Sequence, residues 1–154
     1  MRLSSSAFEH NASIPVKYTC DGEKVTNPPL SISGVPAEAK TLALIMDDPD
    51  VPKQLRPDGV FDHWVLFNIP PATQEIPEGG GTGTPGANTA GGSAYVGPCP
   101  PSQYEPSEHR YIFKLYALDA VLNIEPGAAK KEVLEAMQNH ILAEAELIGR
   151  YRRQ

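Results

Sequence analysis

Basic residues are in short supply in this chain: 13 Lys and Arg stand against 19 Asp and Glu, leaving a formal charge of −6 over 154 residues. No Lys/Arg run is longer than a pair. Such a surface repels a phosphate backbone at long range, which argues against nucleic acid as a partner. Cysteine is scarcer still, at two residues, so a disulfide-built miniature scaffold is excluded. A chain of this length buries roughly 68–70% of its unfolded surface and folds without needing a metal. Long hydrophobic runs are missing too. Nothing approaches the ~18 apolar residues of a spanning helix. The opening Met1-Arg2-Leu3-Ser4-Ser5-Ser6 lacks the apolar stretch of a secretory leader. The expectation is one domain over residues 1–154, cytoplasmic and without a membrane span. With 40% apolar and 21% charged residues, composition is that of an ordinary globular protein.

Proline and glycine are what the chain has in excess, 16 and 13 residues respectively, and they punctuate short apolar runs. That pattern predicts a mainly β protein with large shaped loops. Thr41 to Met46 is almost continuously apolar and ends in Asp47-Asp48-Pro49-Asp50, as a buried central strand does when it empties into a polar loop. His63 to Ile69 is rich in β-branched and aromatic residues and stops at Pro70-Pro71, a second strand. Arg110 to Leu118 is the third and longest, with Tyr111, Phe113, Leu115 and Ala117 on one face. Glu78 to Gly97 is too rich in glycine for regular structure and reads as a functional loop.

Near the carboxyl end, Pro126-Gly127 opens a helical segment in which Val133, Leu134 and Met137 share a face. Beyond His140, helix propensity competes with an alternation of Ala143, Ala145, Leu147, Gly149 and Tyr151 against polar neighbours. The alternation predicts a closing strand.

The polar residues with chemical potential lie at strand ends. Asp48 and Asp50 follow the first strand, and His63 begins the second. Antiparallel pairing of the two places the Asp-Pro-Asp turn beside His63. His109, at the head of the third strand, joins them. Asp50 also suits plain turn chemistry, and Arg110 is either a solvated strand charge or the tie of an acidic loop. No His-x-His or His-x-x-x-His spacing hints at a metal, and Gly92-Ser93-Ala94 lacks the second glycine of a nucleophile elbow. Neither cofactor nor metal is expected. Imidazole and loop N–H donors beside an aspartate suit a small anion better.

Four motifs occur in order: Asp48-Pro49-Asp50-Val51-Pro52; His63-Trp64-Val65 with Asn68-Ile69-Pro70; Gly97-Pro98-Cys99-Pro100-Pro101; and His109-Arg110-Tyr111. On these, the chain resembles the phosphatidylethanolamine-binding protein family, also called Raf kinase inhibitor proteins, in its short bacterial and archaeal branch. The resemblance implies a β-sandwich in which a large antiparallel sheet packs on a smaller one, with one or two short helices near the carboxyl end. It implies a pocket for phosphate or a phospho-head-group anion at Asp48, His63, His109 and Tyr111, with Pro98 as wall and Gly97 as backbone donor. Asp50, Trp64 and Arg110 take supporting places. It further implies a non-enzymatic protein that modulates a protein partner, and a homodimer. Two alternatives accompany this reading: inhibition of a protease or kinase through the loop Glu78 to Ala94, and a hydrolase using His63 or His109 as general base. Ser102 to Glu108 departs from the usual link, and its Glu105 and Glu108 are expected to bring negative charge to the pocket mouth. Cys20 and Cys99 fall in two recognised stretches. Reduced thiols are the default in a reducing cytoplasm; a disulfide is the alternative, contributing about 4 kcal/mol in the chain-entropy model.

Overall fold

Patterns of alternation along the chain resolve into eight strands in the computed structural model, which describes residues 1–154. They are β1 (Arg2–Ser4), β2 (Leu30–Ser33), β3 (Thr41–Asp48), β4 (Phe61–Ile69), β5 (Glu75–Ile76), β6 (Thr84–Pro85), β7 (Glu108–Leu118) and β8 (Ile141–Arg152), with helix α1 (Lys130–Met137) before β8. Two antiparallel sheets result, a small one ordered β1-β2-β5 and a large one ordered β6-β4-β3-β7-β8. This is the expected sandwich. No helix is long and apolar enough to cross a membrane.

Every residue of β3 is buried, because β3 is covered on both faces, and this accounts for its near-continuous apolar sequence. On one face Leu42, Leu44 and Met46 meet Leu3, Leu30, Ile32 and Ile76 of the small sheet. On the other, Ala43 and Ile45 meet Val133 and Met137 of α1. Leu134, expected on the same helical face, instead stands 37% exposed. The helix covers the sheet with a narrower stripe than the sequence suggested.

The closing strand forms because β7 offers it a partner along its whole length, from Glu108↔Arg152 to Leu118↔Ile141. Asn139, in the left-handed region at φ 67°, ends the helix one residue past its cap, a position asparagine tolerates. Pairing with β7 then overrides the helix propensity of the Ala/Glu/Leu tail.

Two register shifts in the β3/β4 pair place the site. At one, Met46 faces Trp64 while Asp47 faces Asp62, leaving His63 as an extra residue in β4. A bulge of this kind re-aims a side chain and strengthens the local twist. At the other, the extra residue next to Asn68 is accommodated by its positive φ of 51°. The Asn68 side chain then donates to the Leu122 carbonyl and accepts from the Leu122 N–H, both at 2.8 Å.

Candidate functional site

Alternation along β3 and β4 sorts the acidic and basic groups at this end of the sheet into two clusters. On the helix face, Asp47 and Asp62 both accept from Lys130 Nζ, at 3.0 and 2.9 Å. On the opposite face, Asp48 and His63 border a cavity of about 260 Å³ together with His109 and Tyr111. Asp62 and His63 face opposite sides as neighbours in a strand do, and the extra residue lets His63 and Trp64, also neighbours, both turn away from the helix, one to the cavity and one to the core.

Asp48 is committed on both oxygens. Oδ1 accepts the Asp50 N–H at 2.8 Å, and Oδ2 lies 2.7 Å from His109 Nδ1. Both side chains are buried, at 5% and 1% exposure. Burial pulls His109 down, but the hydrogen bond and charge of Asp48, with the charge of Asp50 behind it, outweigh that effect and hold His109 above the ordinary imidazole value. His63 behaves oppositely. Its Nδ1 donates to the Val96 carbonyl at 2.7 Å, and burial holds it below the ordinary value against the pull of that carbonyl and of Asp48, Asp47 and Asp62. One ring is thus disposed to carry a proton and the other to be neutral, with its bonded proton on Nδ1.

Tyr111 sits between them, its ring 5.2 Å from that of His63 and 6.4 Å from that of His109. Burial, then the charge of Asp48, pushes its phenol well above the ordinary range. Two buried polar atoms here lack a well-formed hydrogen bond, His109 Nε2 and the Tyr111 hydroxyl, each having only a poorly aligned backbone group nearby, of Pro106 and of Cys99. Buried polar groups are nearly always satisfied, so a pair of unbonded donors at one cavity marks a place where a polar guest is stabilised.

The supporting residues divide. Asp50 takes Arg110 in a two-pronged ion pair, Nε at 2.9 Å and Nη2 at 2.8 Å, and also accepts the Arg110 N–H. The guanidinium holds the Asp50 carboxyl below the usual range. Arg110 is therefore the tie of the acidic loop, not a free cation. Trp64 does not border the cavity; it is buried in the core and meets Tyr95 edge-on at 5.5 Å. Gly97 and Cys99 form the wall. Pro98 faces away, its carbonyl accepting the Cys20 N–H at 3.1 Å. Glu105 and Glu108, expected at the mouth, do not border the cavity. Glu108 is the first residue of β7 and lies 3.9 Å from Arg150 across the β7/β8 pair, which carries its charge to the sheet edge.

Cys20 and Cys99 are joined by a disulfide, with Cα atoms 5.4 Å apart. This corrects the expectation of reduced thiols: the backbone of residues 97–99 already runs against Tyr18 and Thr19, so the two sulfurs are brought within bonding reach. Gly97 makes that approach possible. A Cβ there would lie 3.0 Å from the Tyr18 oxygen and 3.1 Å from Thr19. Gly97→Ala is expected to destabilise the protein by about 1–3 kcal/mol through overpacking, read as a lowered midpoint in urea unfolding; an unchanged midpoint would mean that this wall is free to shift.

The loop expected to be irregular is tethered along its course. Glu78 binds Lys17 and the Tyr18 hydroxyl at 2.8 and 2.6 Å, Thr84–Pro85 adds a short strand to β4, and Asn88 binds the backbone of Gly92 and Ala94.

Arg56 was not legible as a site residue. It lies in the β3–β4 connection and borders the cavity with Leu55 and Phe61. The signal was present: it is the one arginine or histidine between Asp50 and His63, in a connection whose two ends the antiparallel pairing must bring to the pocket.

Comparison with known proteins agrees along nearly the whole chain. The phosphatidylethanolamine-binding protein model matches residues 4–152. A UPF0098 protein of Methanothermobacter thermautotrophicus is 52% identical over 99% of both chains, and one of Chlamydia muridarum is 49% identical over 98% of both. Among solved structures, a phosphatidylethanolamine-binding protein homologue from Chlamydia trachomatis superposes with a TM-score of 0.93 at 47% identity, covering 99% of this chain and 97% of its own. Escherichia coli YbcL shares the fold at a TM-score of 0.85 and 24% identity, covering 99% and 98%.

Proposed function

The chain belongs to the phosphatidylethanolamine-binding protein family, and on that premise we propose that it is a non-enzymatic receptor for a small anion, a phosphate or phosphorylated head group held between His63 and His109. The observation that carries this reading is the pair of buried, unbonded donors, His109 Nε2 and Tyr111 hydroxyl, beside the neutral-disposed His63. An anion accepts from all of them once His63 takes a proton on Nε2. The cavity, about 260 Å³, falls below the roughly 300–1,000 Å³ of drug-sized pockets, which suits a compact group. Binding rather than turnover is favoured by what surrounds it. No serine or threonine borders the cavity, Cys99 is held in a disulfide, and Asp48 is committed on both oxygens, which leaves no aliphatic hydroxyl, thiol or free carboxylate to act as nucleophile. In this reading the bound anion and the rim around it modulate a partner protein.

The pH dependence follows from the two rings. A bound anion favours the charged form of each imidazole, so binding takes up protons and affinity falls as pH rises. For one proton the limit is about tenfold per pH unit. Calorimetry at pH 6 and pH 8 with phosphoethanolamine, and with sulfate, whose own charge is constant in that interval, is expected to show at least about tenfold tighter binding at pH 6. Equal affinity for sulfate at both pH values, or none at either, overturns the assignment.

A further inference from the structure

Charge at the cavity is nearly balanced without Arg56. The Asp48–His109 pair is neutral as a unit, the Arg110 guanidinium is spent on Asp50, and His63 is buried with its Nδ1 bonded to backbone. Among the residues that border the cavity, Arg56 is the single permanent cation. It is weakly engaged for an arginine. Its Nε is buried and makes no hydrogen bond, its nearest carboxylate is Asp58 at 3.8 Å, and its guanidinium lies 5.9 Å from the Phe61 ring centroid. A guanidinium presents donors in a fork that matches phosphate oxygens, and an unbonded buried donor favours any group that satisfies it.

The surroundings of Arg56 are apolar. Val51, Leu55, Phe61, Pro100 and Pro101 border the same cavity, and Leu55 stands 50% exposed. Neither inorganic phosphate nor phosphoethanolamine, whose far end is a cation, makes use of that rim. We propose that Arg56 and its apolar neighbours select organic monophosphates bearing an apolar, preferably aromatic, substituent, with Arg56 sharing the phosphate oxygens and Leu55 and Phe61 covering the substituent. The proposal rests on the anion-receptor reading above and adds to it the class of anion preferred.

Calorimetry at pH 7 with phenyl phosphate, phosphoethanolamine and inorganic phosphate tests it on the wild-type protein, Arg56→Gln, Arg56→Lys and Leu55→Ser, each checked by thermal unfolding. Phenyl phosphate is expected to bind wild type at least about tenfold more tightly than phosphoethanolamine, the scale of burying a small apolar group. Arg56→Gln is expected to weaken all three by about tenfold or more, as loss of a charged hydrogen bond does, with Arg56→Lys recovering part of it. Leu55→Ser is expected to weaken phenyl phosphate alone. Equal affinity for phenyl phosphate and phosphoethanolamine, or Arg56→Gln binding like wild type, overturns the proposal while leaving the receptor reading intact. Absence of binding by any probe to wild type removes both.

Discussion

Asp48→Asn is expected to lower the unfolding temperature by about 6–12 °C and to abolish anion binding at neutral pH. The buried Asp48–His109 contact is one in which losing a partner is expensive, about 3 kcal/mol or more, because the other group is left desolvated. For a chain of this size about 2–4 °C accompanies each kcal/mol. The amide also cannot serve both the Asp50 N–H and His109 as the carboxylate does. Without the carboxylate, burial acts on His109 with only the charge of Asp50 and the Pro106 backbone opposing it, and its titration moves below that of wild type. The sign of the pH effect is fixed by that direction. A histidine whose value is raised on folding contributes stability that is complete below its unfolded value, near 6.5, and is lost as pH rises through its folded value. The stability gap between wild type and Asp48→Asn is therefore widest below pH 6.5 and narrows above it. Calorimetric unfolding across that range, with His109 followed by NMR, measures both parts. A gap that widens with pH would show that the contact does not carry a proton on His109.

Reducing the Cys20–Cys99 bond is expected to remove about 4 kcal/mol of stability, the chain-entropy figure for a sequence separation of 79 residues. The loss appears as an unfolding temperature lower by about 8–16 °C in the presence of a strong reductant. Cys99 belongs to the cavity wall, so phosphoethanolamine affinity is expected to fall with it. A Cys20→Ser, Cys99→Ser double variant should match the reduced protein and ignore reductant. If reduction leaves both temperature and affinity unchanged, the wall is held by the Cys20 N–H to Pro98 carbonyl bond and the packing of Gly97 alone.

Much of the architecture was readable from the chain because period and punctuation agreed there. Thr41 to Met46 announced a strand covered on both faces, and β7 alternated as written. The strand after His140 was legible only as an alternation set against propensity, and it was decided by a long-range partner, β7. At the site, the nearness of Asp48 to His63 and His109 followed from antiparallel pairing of strand ends. What did not follow was anything dependent on the detailed path of a loop. Pro98 turned its carbonyl to Cys20, Glu108 went to the sheet edge, and Arg56 returned to the cavity through a connection with no periodicity to read. The disulfide belongs with these: two cysteines far apart in sequence carry no sign of whether their backbones touch.

The extra residue at His63 bears on how this family of sequences is free to vary. Phe61 and His63 border the cavity in front while Asp62, between them, binds Lys130 behind the sheet, so both clusters draw on three consecutive residues of one strand, and the insertion sets these apart from the frame of Trp64 onward. Loss of the His63 codon alone would leave Asp62 opposite Asp47 and Trp64 opposite Met46 in a regular ladder, removing the cavity imidazole while the Lys130 cluster kept its frame.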